Sequence, residues 1–180
     1  MSIVSDWQAI DVELSQQAPR ILADLRPPIT ESEAENWAHT AGVLPVELRE
    51  LYDVHAGTAT RGSSGFSFIG EWYPFTVDEA LMRYHRCRRM AESWERPPLI
   101  PFAIDLSGSY LAVRPGGSGD LSIILDDAGD APYERYPDIA TLVARTVDGL
   151  RGNSPDSRAE LAEQYLSWTN LEEEADDHGY

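Results

Sequence analysis

The stretch LIPFAIDLSGSYLAVRPGGSGDLSIIL, residues 99–125, decides the fold class. It breaks into three apolar runs, 99–104, 109–113 and 121–125, each of strand length. Ser107-Gly108 separates the first two, and Pro115-Gly116-Gly117-Ser118-Gly119-Asp120 separates the last two. Links this short join antiparallel strands, because a parallel crossover needs a dozen or more residues. A fourth short strand is expected at the edge, from Tyr133 to Tyr136.

Helical patterns flank this block on both sides. Trp7, Ile10 and Leu14 recur at helical spacing, and Ile21, Leu22 and Leu25 continue the stripe beyond Pro19, which should end or kink the helix near Ala18. Thr30-Glu31-Ser32-Glu33 reads as a capping box, with Gly42 closing that helix. Pro45 should open a short helix carrying Leu48, Leu51 and Tyr52. Residues 57–65 read as loop, with Phe66, Phe68 and Trp72 alternating like a strand. From Thr76 to Glu95, Val77, Ala80, Leu81, Tyr84, Cys87, Ala91 and Trp94 form one stripe, with Arg83, Arg86 and Arg89 largely opposite it. A helix after Pro137 carries Ile139, Leu142, Val143, Val147 and Leu150, and a last helix is expected from Pro155 to about residue 170. Helices, then strands, then helices give an α+β fold: a small mixed, mainly antiparallel sheet with helices packed around it. The expected organisation is one domain over 1–152, a C-terminal helix over 153–170 packed on it, and a frayed acidic tail over 171–180.

Composition narrows the function classes. The chain has 180 residues, 42% hydrophobic and 25% charged, as an ordinary globular domain does. Fourteen basic residues oppose 31 acids, for a formal net charge of −17. Such a field disfavours nucleic acid and anionic membrane as partners and speeds encounter with a basic one. All basic residues are arginine, so Schiff-base chemistry, a P-loop lysine and a Ser–Lys dyad are excluded. A single cysteine, Cys87, rules out an intramolecular disulfide. With Asp6 near the start and no long apolar run, a cytoplasmic location is the expectation.

Catalytic patterns are scarce. His39, His55, His85 and His178 form no pair at metal-binding helical spacing, and the serines at 63, 64, 107 and 109 lack the frame of a nucleophile elbow. Cys87 lies on an apolar stripe. Asp126, Asp127 and Asp130 lack the alternation of a calcium loop. No cofactor, metal or catalytic residue is therefore expected. The arginines at 83, 86, 88, 89 and 96 form the one basic patch; an anion site is conceivable there, with Glu79–Arg83 pairing at i, i+4 as the simpler account.

The stretch LRPPITESEAENWAHTAGVLPVELRELYDVHAG resembles the opening of the SUKH superfamily, which includes the Smi/Knr cell-wall regulators of fungi and many bacterial immunity proteins. Thr30, Glu33, Gly42, Leu44, Pro45, Leu48, Tyr52 and Gly57 carry the likeness. Ile100, Pro101, Phe102, Asp105, Gly108 and Tyr110 resemble the family's central strand pair, and YERYPDIATLV its closing helix. The family often has Asp before the aromatic residue; Ser109 stands there. The resemblance spans about residues 5–150 and implies a non-enzymatic binding module, in bacteria usually an immunity protein that docks on a toxin domain. An intracellular adaptor or regulator with an endogenous partner is the alternative, and an enzyme with a pocket holding a titratable group beside a positioned partner is the third reading. The partner expected is a basic toxin domain, met by Glu71, Asp105, Asp120, Asp126 and Asp127, with Trp72 and Tyr73 as desolvated anchors and core packing as the alternative for Trp72.

Overall fold

The computed structural model describes residues 2–94, 98–114, 121–124, 133–155 and 157–171. Helix α1 (Ile3–Gln17) is opened by Ser2, whose hydroxyl accepts from the Ser5 N–H, and it buries Trp7, Ile10 and Leu14. Pro19 has no N–H to continue it, and α2 (Pro19–Asp24) starts there after Ala18, whose backbone leaves the helical region. Helix α3 (Glu31–Ala41) has the expected capping box: Thr30 Oγ1 accepts from the Glu33 N–H at 3.2 Å, and the Thr30 N–H donates to Glu33 Oε2 at 2.8 Å. Helix α4 (Val46–Tyr52) follows, with Pro45 as its N-cap.

Strand β1 (Tyr73–Pro74) leads into α5 (Val77–Trp94), which a second capping box opens between Thr76 and Glu79. Then come β2 (Ile100–Ile104), β3 (Tyr110–Val113), β4 (Leu121–Ile124) and β5 (Tyr133–Tyr136). They form a five-stranded meander in the order β1-β2-β3-β4-β5. Every described pair is antiparallel, so the mixed pairing allowed for in the sequence is not seen. Pro101 is tolerated in β2 because β1 reaches only Ala103 and Ile104, and a register shift follows Pro101 on the β3 side. All residues of β2 and β3 are buried, so both faces of the sheet centre are covered. Helix α5 packs against β2 and α3, while α6 (Ile139–Leu150), N-capped by Asp138, packs against α1.

The C-terminal segment departs from expectation. The helix expected over 153–170 is instead a hairpin, β6 (Ser157–Ala162) and β7 (Tyr165–Asn170). Leu161, Ala162, Tyr165 and Leu166 fit a helical stripe, but they also fit two strands joined at Glu163-Gln164. A run this short does not distinguish the two periods. Tertiary contacts decide. Ala159 pairs with Trp168 and Leu161 with Leu166, which puts all four on one face. Trp168 packs over Gly149 of α6, where an added Cβ would stand 2.5 Å from the indole ring. Its Nε1–H donates to Ser67 Oγ at 3.1 Å. The expected tail beyond Leu171 lies outside the described residues.

Two outcomes follow. Gly57 has φ +96°, and a Cβ there would collide with the Phe75 carbonyl. Gly57→Ala should therefore cost more than about 2 kcal/mol in a denaturant melt, because neither backbone can yield cheaply. The hydrogen bonds from the Thr30 backbone and then its side chain, with Arg26 nearby, hold the Glu33 carboxyl below the ordinary range. A depressed folded-state value means that this stabilisation is complete above the ordinary Glu range and is lost as pH falls through the folded value. Unfolding midpoints between pH 7 and pH 3 should fall less for Glu33→Gln than for the native chain.

Candidate functional site

The connection 57–72 is longer than compact domains usually leave without regular structure, and loops of this length are commonly functional. It is pinned along its length. Thr58 pairs with Leu25 across an isolated bridge. The Asp24 carboxylate accepts from the Thr58 hydroxyl, from the Thr60 N–H at 3.0 Å and from the Thr60 hydroxyl at 2.6 Å. Farther on, the Ser63 carbonyl accepts from the Leu166 N–H at 2.8 Å, and the Ile69 N–H donates to the Thr146 hydroxyl at 3.2 Å. Phe66 and Phe68 meet edge to face with centroids 5.3 Å apart, and both pack on Trp7 at 5.1 and 5.6 Å.

The loop ends in a tight turn. The Phe68 N–H donates to the Trp72 carbonyl at 2.9 Å, and Gly70 and Glu71 both take positive φ, 79° and 62°. Among the described residues Glu71 is the one non-glycine in that region. A side chain costs energy in that conformation, and such positions concentrate at functional sites. Tyr73 pairs with Ile104, so the turn and the β2–β3 connection leave the sheet at the same end. In that connection Asp105 Oδ1 accepts from the Ser107 hydroxyl and the Ser109 N–H, each at 2.8 Å. Leu106 in this connection is 64% exposed, a high value for a leucine.

Among the residues expected to bind a partner, Glu71 and Asp105 come together at this end of the sheet. Trp72 and Tyr73 are corrected: they are 6% and 2% exposed and belong to the core, where they cannot anchor a partner without opening the fold. Burial, and then the nearby Glu71 carboxylate, push the Tyr73 phenol up. The exposed apolar residue at this end is Leu106, which its neighbour Asp105 had overshadowed in the sequence. Asp120, Asp126 and Asp127 lie outside the described residues. Asp105 itself is half-buried and ties the turn, so its charge is partly committed to structure.

The other candidates fall into structural places. Cys87 is buried. His55 follows α4 and joins it to α1: Nε2 lies 3.0 Å from Asp11 Oδ1, and Nδ1 lies 2.9 Å from the Arg26 carbonyl. The Glu79–Arg83 pair does not form. Glu79 is committed to the Thr76 cap and to Arg61. The Thr76-Val77-Asp78-Glu79 pattern is the signal for that commitment. Among the described residues no group of three or more His, Cys, Asp or Glu side chains could hold a metal ion. No described helix is long and apolar enough to cross a membrane. No protein-family model matches the chain, and no curated protein matches it.

Replacing Glu71 by Gly should raise stability by roughly 0.5–1 kcal/mol, because it removes the left-handed side chain at a position glycine adopts freely. Asp105→Ala should lower it by about 1–2 kcal/mol through loss of the turn hydrogen bonds. Paired thermal melts read both signs.

Proposed function

We propose that this chain is a protein-binding module of the immunity type, which docks on a basic toxin domain and blocks it. The observation that carries the reading is the sheet end, where Glu71 is held in a left-handed turn at the same end as the exposed Leu106, in a chain of net charge −17. A stability cost retained at one half-buried acid is what a contact residue would require, since Gly there would fold better. An apolar side chain with an acid at its flank suits a partner surface where a basic residue borders an apolar one. The long-range field supplies fast encounter, and the turn supplies register. The SUKH-like motifs support the same reading. A cytoplasmic setting belongs to this proposal, since the toxin domain would act there.

The test is protection of growth from co-expressed candidate toxin domains, with affinity and its salt dependence measured for the domain that is neutralised. Glu71→Arg and Leu106→Asp should each weaken binding by roughly tenfold or more while melting as the native chain does. Glu71→Arg should also reduce the slope of affinity against salt. Unchanged affinity in both variants would remove the sheet end from the proposal. Absence of protection, together with capture of an endogenous partner, would replace immunity by an adaptor role.

A further inference from the structure

The C-terminal hairpin has one edge held against the molecule and one edge open. Only Glu163 and Gln164 link its strands, which makes Ala162 and Tyr165 a pair that exchanges both backbone hydrogen bonds. Such pairs alternate along a ladder, so Ser157, Ala159 and Leu161 turn their N–H and C=O groups away from β7, and Leu166 turns its own away from β6. On the β7 side, the outward Leu166 N–H donates to the Ser63 carbonyl at 2.8 Å, so the long connection lies along that edge. On the β6 side, no backbone partner meets Ser157, Ala159 or Leu161 among the described residues. None of the residues of β6 is buried, and Arg158, Glu160 and Ala162 are exposed. Neither Arg158 nor Glu160 has an ion-pair partner among the described residues.

An open edge strand is a template for another strand. The sequence Ser157-Arg158-Ala159-Glu160-Leu161-Ala162 specifies which one. Two copies of β6 laid antiparallel about Ala159 set Ala159 against the partner's Ala159 and Ser157 against the partner's Leu161. All the outward-turned residues then meet as hydrogen-bonded pairs. Arg158 faces the partner's Glu160 in the positions between them, where side chains approach most closely, and symmetry forms that pair twice. Moving the two-fold by one residue sets Arg158 against the partner's Arg158, or Glu160 against the partner's Glu160, and like charges directly opposite are destabilising. Each copy carries a net charge of −17, so self-association needs a surface on which the sign alternates, and this strand supplies one. We propose that the β6 edge pairs with β6 of a second copy of this chain, as a two-fold dimer centred on Ala159. The two hairpins become one four-stranded sheet, which removes the open edge and extends a ribbon that is marginal by itself. This edge belongs to the second sheet, so the inference does not rest on the docking proposed at the end of the first.

Sedimentation equilibrium of the full chain tests this. The average mass should rise from 20.0 kDa toward twice that value as the chain is concentrated. Arg158→Glu and Glu160→Arg each set like charges opposite one another at both pairs, and each should weaken the dimer roughly tenfold or more. The double variant Arg158→Glu/Glu160→Arg restores opposite charges and should dimerise as the native chain does. An equimolar mixture of the two single variants should form a heterodimer, because every pair then joins an arginine to a glutamate. Ala159→Pro removes the outward N–H on the two-fold axis and breaks no bond within the hairpin, so it should stay monomeric. Amide exchange at Ala159 in the native chain should slow as concentration rises. A native chain that stays monomeric up to roughly 1 mM would overturn the proposal. So would a dimer indifferent to both single variants, or a mixture of them that forms no heterodimer. Slow exchange at Ala159 in the dilute, monomeric chain would show the edge covered from within one copy, and would overturn it too. Should Ala159→Pro fail to fold, the mixture of charge variants decides by itself.

Discussion

The fold depends on the packing of Trp7 against Phe66 and Phe68. Those rings bring together α1, the long connection 57–72 and, through Ser67 between the two phenylalanines, the C-terminal hairpin. Each of the three would be poorly held alone. The loop has no ladder, and the hairpin is a two-stranded sheet of a kind that is marginal by itself. The aromatic cluster supplies apolar burial that the loop backbone cannot. The hydrogen bonds to Asp24, Thr146 and Ser63 then satisfy the polar groups that the burial exposes to loss. A rigid loop is the consequence, and its last turn is the one that carries Glu71.

That arrangement separates two kinds of acid. Asp24, Glu33, Glu79 and Asp105 each accept hydrogen bonds from backbone N–H groups and hold a loop, a helix start or a turn. They are structural, and their charge is partly spent within the molecule. Glu71 accepts no described hydrogen bond of this kind, and its backbone conformation works against it. The same division separates the arginines. Arg61 pairs with Glu79, Arg49 with Asp53 and Arg151 with Glu13, whereas Arg83 keeps a buried donor unpaired. The exception at Glu71 marks the candidate site.

Much of this was legible in the sequence where the cause is local. The Thr30–Glu33 box, the break at Pro19 and the hairpins of 99–125 depend on neighbours a few residues apart, and all are found. What failed depends on distant partners. Residues 157–170 form strands because Gly149 leaves room for Trp168 and Ser67 accepts from it. Trp72 and Tyr73 sit beside an acid in sequence, yet both sheet faces are covered there and they are core. Glu79 stands at ideal spacing for Arg83, yet an arginine from the loop at position 61 takes it. The candidate site was half visible: Glu71 and Asp105 from their acidity and strand-end positions, Leu106 from the folded chain alone.

The central claim is that the sheet end formed by the 68–72 turn and the β2–β3 connection is the docking surface. Amide hydrogen exchange of the chain, alone and saturated with a partner that it neutralises, tests this most directly. Slowed exchange concentrated at residues 69–72 and 105–109 is the result the account requires. Protection confined to the exposed faces of α3 and α4, with these two turns unchanged, would contradict it.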